Sequence, residues 1–408
     1  MEMRERLRHL FGVGVAAVQA DRCLPPHLDL TPWPGRTAMI AVGKAAGAMA
    51  RVALATLKID EGLVIVPAGH VPPGWAPPPG ADVIVAGHPV PDQASLAAGE
   101  AALALATRLG ADDRLIALIS GGGSALMAAP RVGITLADKQ RITRSLLAAG
   151  ATIAEINAVR AALSRIKGGG LAAAASPARV FTYVISDIPG DDWTAIASGP
   201  TLAPRSPIPI AAVLARYGVD LPTGLTPTAP VVHKEAAHIR LCATAGDALA
   251  AMARAAHQLG YVPHILGDAI EGDAAVLGQA HALHARALAE QGTPVALLSG
   301  GETTVSVPES AGKGGRNTCY SLAHAIALDG HPAIHSLAAD SDGIDGRMTA
   351  AGAFVGPDTL DRLRSVGCDP HDMLARGDSG SAFAAIGDLL ITGPTCTNVN
   401  DLRISLIN

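Results

Sequence analysis

Aromatic side chains are scarce in this 408-residue chain, 3% against 49% hydrophobic residues overall. Its cores must therefore be built from Ala, Val, Leu and Ile, a composition that suits α/β layers. No apolar run approaches the eighteen or so residues that a membrane span requires, so no membrane partner is expected. Charge of one sign is also lacking. The balance is −5 without a dense Lys/Arg cluster, which excludes a nucleic-acid footprint. The five cysteines (Cys23, Cys242, Cys319, Cys368, Cys396) are odd in number and scattered. They form no CxxC or Cys/His metal spacing, which points to a reducing, cytoplasmic setting. The chain starts with charge, and the apolar piece from Leu10 to Val18 ends without a cleavage-like context. It reads as an amphipathic first helix, not a signal peptide.

Several catalytic fingerprints are missing as well. Lys44 and Lys313 each follow a glycine, but Ala38 and Val307 stand where a GxxxxGK[ST] loop needs its first glycine. No GxGxxG follows a strand, so a dinucleotide-binding site is unsupported. Ser120 is not a nucleophile elbow, because Leu118 occupies the position two residues before it. His88 and His335 are isolated, and no catalytic triad can be argued from them. Phosphoryl transfer without a P-loop remains open.

What is present is a repeated junction of apolar run and glycine loop. Leu115 to Ile119 breaks into Ser120-Gly121-Gly122-Gly123-Ser124, and Leu297-Leu298 breaks into Ser299-Gly300-Gly301-Glu302. Thr37 to Val42 leads into Gly43-Lys44, where a cation stands at the start of a helix, a favourable place for an anion. A further loop, Gly312-Lys-Gly-Gly-Arg-Asn317, offers Lys313 and Arg316. Glycines let backbone N–H groups approach oxygens closely, so these loops read as a phosphate or carboxylate cradle. Each half also carries an acidic turn after a strand-like run, Ser186-Asp187-Ile-Pro-Gly-Asp191-Asp192 and Asp340-Ser-Asp342-Gly-Ile-Asp345. Their carboxylates are hard oxygen ligands that suit Mg²⁺. The loops lie 66 residues apart in one half (Ser120 to Ser186) and 42 in the other (Ser299 to Ser341), so this is no fixed-period repeat. Apolar runs of about five residues bounded by turns suit buried parallel strands, whose C-terminal ends bind ligands.

These motifs, in this order along nearly the whole chain, resemble the class II glycerate kinases, the glycerate 2-kinase family with a C-terminal MOFRL module. The resemblance is carried by Val42-Gly-Lys-Ala-Ala46, Gly87-His-Pro-Val-Pro-Asp92, Ser120-Gly-Gly-Gly-Ser-Ala-Leu126, Glu155-Ile-Asn-Ala-Val-Arg160 and Leu163-Ser-Arg-Ile-Lys-Gly-Gly169. Ser198-Gly-Pro-Thr201, the 299–305 and 312–317 loops, Asp340 to Gly346 and Thr397-Asn-Val-Asn-Asp401 extend it. Members of the family are often labelled hydroxypyruvate reductases.

The resemblance implies two Rossmann-like α/β domains, 1–235 and 236–408, with an interdomain cleft where nucleotide and substrate meet. A proline-rich connection over 201–235 marks the boundary. The implied activity is ATP-dependent phosphorylation of D-glycerate at its 2-hydroxyl, with ATP and Mg²⁺ as cofactors. A nicotinamide-dependent hydroxypyruvate reductase and a non-catalytic anion binder are the rival readings, and a homodimer is left open. Lys44 and Arg316 are the expected catalytic cations, and Asp187 the group that orients or deprotonates the hydroxyl. Ser120, Gly121, Gly122, Gly123, Ser124, Ser299, Gly300, Gly301, Glu302 and Lys313 are expected at substrate and nucleotide. Asp192, Asp340 and Asp342 are expected near the metal.

Overall fold

A computed structural model describes residues 1–202, 208–222, 238–305 and 312–408. The chain divides into two compact units. The N-terminal unit holds residues 23–186 and 192–242, and the C-terminal unit holds 1–22, 187–191 and 243–408.

The first unit is built on strands β1 (Thr37–Val42), β2 (Glu61–Val66), β3 (Ala81–Val85), β4 (Arg114–Ile119), β5 (Arg179–Ile185) and β6 (His238–Ala243). They lie in the order β3-β2-β1-β4-β5-β6. The pairs from β3 through to β5 are all parallel. β1 and β4 are buried along their whole length, as expected of apolar runs covered on both faces. Chain order reverses between β1 and β4, the switch point where ligands bind outside the carboxyl ends of such sheets. Helices Leu136–Ala148, Ile153–Ala162 and Ile210–Arg216 gather round a separate apolar cluster that includes Ile142, Leu146, Ile156, Val159, Val213 and Leu214. Capping boxes at Thr135/Asp138 and Thr152/Glu155 start the first two.

The division differs from the expected one at both ends. β6 was placed at the start of the second domain, yet it completes the first sheet beside β5. The His238 ring stacks there on Phe181 with centroids 4.7 Å apart. The first helix, Met3–Ala17, belongs instead with the C-terminal unit, where Gly14 lies against Met252 of helix Ala245–Gln258. Much of the proline-rich connection falls on 203–207 and 223–237, outside the described residues.

The second sheet comprises β7 (Val262–Gly267), β9 (Val295–Gly301), β11 (Ile334–Asp340), β12 (Gly352–Val355), β13 (Leu389–Leu390) and β14 (Asp401–Ile407). Its order is β13-β12-β11-β14-β9-β7, and β8 (Gly272–Asp273) pairs separately with β10 (Thr303–Thr304). Only β7 and β9 run parallel in this sheet; the other pairs are antiparallel. The expectation of buried parallel strands is therefore corrected for this half. Antiparallel β14, inserted between β9 and β11, sets Asp401 beside Asp340 on one side and Gly301 on the other. Among the described residues no helix is long and apolar enough to cross a membrane.

Candidate active site

At the switch point of the first sheet two loops clasp each other. The Lys44 N–H donates to the Gly121 carbonyl at 2.8 Å, and the Ala45 N–H donates to Ser120 Oγ at 3.0 Å. Ser120 is fully buried, and its hydroxyl fixes the β1 turn. Lys44 is half-buried, and its carbonyl meets His70 Nδ1 at 3.0 Å. Gly122 has φ +82°, and a Cβ there would lie 3.1 Å from the His88 ring and 3.5 Å from Lys44 Cγ. Lys44, His88 and the Gly121–Gly123 backbone thus converge.

Ser124, next in that loop, faces cations. Its hydroxyl accepts from Arg160 Nη2 at 2.6 Å and from Lys167 Nζ at 2.5 Å, and its carbonyl accepts from Lys167 at 2.8 Å. With both lone pairs occupied, the hydroxyl hydrogen is left for Ser198 Oγ, 2.9 Å away. Lys139 adds a second buried lysine, beside the half-buried Arg160. Arg160 and Lys167 lie inside the family motifs without an expected role, and Lys139 lies outside them. One signal was available: Lys139, Ile142 and Leu146 occupy one stripe of helix Leu136–Ala148, so a lysine takes an apolar position.

In the C-terminal unit Arg316 opens helix Arg316–Leu328 and binds three carboxylates. Nε donates to Asp401 Oδ1 at 2.8 Å, Nη1 to Glu302 Oε1 at 2.6 Å and Nη2 to Asp340 Oδ2 at 2.8 Å. Burial opposes its charge, but Asp401, Asp340 and Glu302 outweigh burial and raise its pKa. Asp401 is fully buried and also accepts from Asn317 Nδ2 at 2.7 Å and Arg403 Nη2 at 2.7 Å. Burial favours its neutral form, yet Arg316 and Arg403 prevail and hold its pKa below the usual carboxylate range. Asp345 accepts from the Asn317 and Thr318 N–H groups, both at 2.9 Å, and so caps that helix. Asp401, Asn317 and Arg403 had no expected role.

The Ser299-Gly300-Gly301 loop is not a loop. It ends strand β9 and is buried throughout. The Gly300 carbonyl accepts from Ile270 N–H at 3.1 Å, and a Cβ on Gly301 (φ +120°) would fall 2.3 Å from the Ile270 backbone. Gly301 thus admits a neighbouring chain segment. Lys313 is exposed, with its N–H on Asp378 Oδ1 at 2.8 Å. Asp187 belongs to this unit, its carboxylate accepting from Asn398 Nδ2 at 3.3 Å.

The three expected metal carboxylates serve other ends. Asp192 is exposed and receives the Thr194 N–H and hydroxyl. Asp340 takes Arg316 and the Asp342 N–H, and Asp342 takes the Ile344 N–H at 2.8 Å. Among the described residues no group of three or more His, Cys, Asp or Glu could hold a metal ion. Mg²⁺ commonly takes one or two carboxylates beside substrate phosphates, so what is missing among the described residues is an all-protein cage.

Residues 6–230 match a domain of unknown function, DUF4147, and residues 295–401 match the MOFRL family. A protein of Agrobacterium vitis with the provisional name hydroxypyruvate reductase is 46% identical over 99% of this chain and 94% of its own length. The D-glycerate 2-kinase of Thermotoga maritima is 36% identical over 96% of this chain and 95% of its own. The crystal structure of glycerate kinase from Thermotoga maritima superposes with a TM-score of 0.89 at 34% identity, covering 100% of this chain and 99% of that one.

Proposed function

The chain belongs to the glycerate 2-kinase family with a MOFRL module, and from that premise we propose that it phosphorylates D-glycerate. The 2-hydroxyl attacks the terminal phosphorus of ATP, the bond to the ADP oxygen breaks, and the products are 2-phosphoglycerate, ADP and a proton. Mg²⁺ enters as the companion of the nucleotide phosphates, which is how phosphoryl-transfer sites commonly receive it. The observation that carries the reading is the near full-length likeness, in sequence and fold, to D-glycerate 2-kinase and glycerate kinase of Thermotoga maritima.

Such transfer requires positioning and charge neutralisation more than covalent chemistry. In the N-terminal unit, Lys44 supplies the cation for the transferring group, and the Gly121–Gly123 backbone N–H groups face phosphate oxygens. In the C-terminal unit, Asp187 orients or deprotonates the 2-hydroxyl, with Asn398 holding its carboxylate. Arg316 is assigned as a positioning residue and not as a cation on the phosphoryl group, because each of its three nitrogens already donates to a carboxylate.

The name of the Agrobacterium vitis relative favours a second reading, reduction of hydroxypyruvate by a nicotinamide. The turn after β1 argues against it: Gly43-Lys-Ala-Ala-Gly47 lacks the GxGxxG spacing that seats a dinucleotide. Two assays separate the readings, ADP formation from D-glycerate, ATP and Mg²⁺, and NADH or NADPH oxidation with hydroxypyruvate. ADP formation with no reductase signal is expected. Nicotinamide oxidation without ADP formation would reject the kinase.

A further inference from the structure

We propose that Lys139, Arg160 and Lys167, the last two gathered at the Ser124 hydroxyl, form a binding site for an oxyanion, a carboxylate or phosphate group of a small ligand. The site lies wholly within the N-terminal unit. Arg160 and Lys167 both donate to Ser124 Oγ, at 2.6 and 2.5 Å, so their ends are close together. Lys139 is 8% exposed and Lys167 5%. The Lys139 ammonium is buried with no hydrogen-bond partner.

Two buried lysines beside a half-buried arginine are an expensive arrangement, because a buried charge must be paired and hydrogen-bonded to recover its lost hydration. Here the partners are neutral: the Ser124 hydroxyl and carbonyl, and Asn157 Oδ1 at 3.5 Å from Arg160. Among the described residues no hydrogen bond joins any of the three to a carboxylate. Burial, and then Arg160, push the Lys139 pKa down to about 7. Burial, then Arg160 and Lys139, push Lys167 well below its ordinary value. An oxyanion among them would supply the missing counter-charge and accept from the orphaned ammonium.

The scaffold holds this arrangement firmly. Lys139 and Arg160 stand on two capped helices packed round their own apolar cluster. Nothing in that packing calls for a lysine at the apolar stripe, where methionine would fill similar space without desolvating a charge.

The site stands on its geometry, while naming its occupant rests on the kinase reading, whose two substrates offer a carboxylate and a phosphate. The test is calorimetric binding of D-glycerate, of a non-hydrolysable ATP analogue with Mg²⁺, and of inorganic phosphate, each alone, to wild type, Lys139→Met and Lys139→Arg. Lys139→Met should be at least as thermally stable as wild type and should bind one of the first two ligands at least tenfold more weakly. Lys139→Arg, which keeps the charge, should retain most of that binding and covers the case in which the methionine variant misfolds. Weakened glycerate identifies a carboxylate occupant, and weakened nucleotide analogue a phosphate occupant, with inorganic phosphate weakened alongside it. Wild-type affinities for all three ligands in folded Lys139→Met, or no binding of any of them to wild type, would overturn the proposal. An absent ADP signal in the wild-type assay would sink the kinase reading alone, since phosphate binding does not depend on turnover.

Discussion

Replacing Lys44 by alanine removes an ammonium from a junction whose backbone is already tied to Gly121 and Ser120. Those bonds survive the substitution, so turnover should fall at least about a hundredfold, roughly 2.7 kcal/mol of barrier, with the melting temperature nearly unchanged. Arg316→Ala should behave differently. It strips a fully buried carboxylate, Asp401, of one of its two cations and leaves Asp340 short as well. Breaking a buried pair on one side costs about 3–5 kcal/mol, so stability and turnover should fall together. Turnover and thermal denaturation of both variants decide the matter. Near-wild-type turnover in Lys44→Ala reduces it to a solvated loop charge, and an unshifted melting temperature in Arg316→Ala removes its positioning role. Both residues stand out in the sequence because a glycine precedes each. Lys139 and Arg160 do not, since a lone cation in a helix reads as surface until packing shows where it points, and Lys167 lies in a turn, where a lysine reads as solvated.

Elements were legible where one physical rule governed them. β1 and β4 are apolar after their first residues, Thr37 and Arg114, and both lie inside a parallel sheet. β14 departs from its pattern: Asp401-Leu-Arg-Ile-Ser-Leu-Ile407 alternates polar and apolar residues, as a strand with one wet face does. Both of its faces are covered. Leu402, Ile404 and Leu406 are buried, and so are Arg403, which lies over the Tyr320 ring at 5.4 Å, and Ser405, bonded to Ser336. The Ser299–Gly301 motif misled for a related reason: glycines that admit a ligand and glycines that admit a neighbouring backbone are identical in sequence. The two roles separate by mutation. Gly300→Ala would place its Cβ 3.4 Å from Leu249, an ordinary contact, whereas Gly301→Ala meets the Ile270 backbone at 2.3 Å with φ +120°. Equilibrium denaturation should show less than about 1 kcal/mol of loss for the first. The second should lose at least about 1–3 kcal/mol from backbone strain alone. Equal and small losses in both would restore the ligand cradle.

At the scale of the whole molecule, the C-terminal unit buries a polar layer that should make stability depend on pH. His324 is fully buried, bonded to the Gly278 carbonyl at 3.0 Å and to Ser336 Oγ at 2.9 Å, and His281 meets the Tyr320 hydroxyl at 3.0 Å. Burial holds both imidazoles neutral and lowers each to about 4, with Arg403 adding to the effect on His281. In the unfolded chain they bind protons below about 6.5. Between that value and 4 the unfolded state therefore takes up more protons, and stability is lost as pH falls. Asp401, depressed by Arg316 and Arg403, adds a loss that begins only below about 3.9. Asp345, raised by burial, opposes the trend once it protonates in the folded state. Urea denaturation followed by circular dichroism should show the midpoint falling steadily from pH 7 to pH 5, with each buried histidine contributing up to roughly 3 kcal/mol by the lower end of its window. A midpoint that does not move over that range would mean that these imidazoles accept protons in the folded protein, and that the polar layer beneath β14 is open to water.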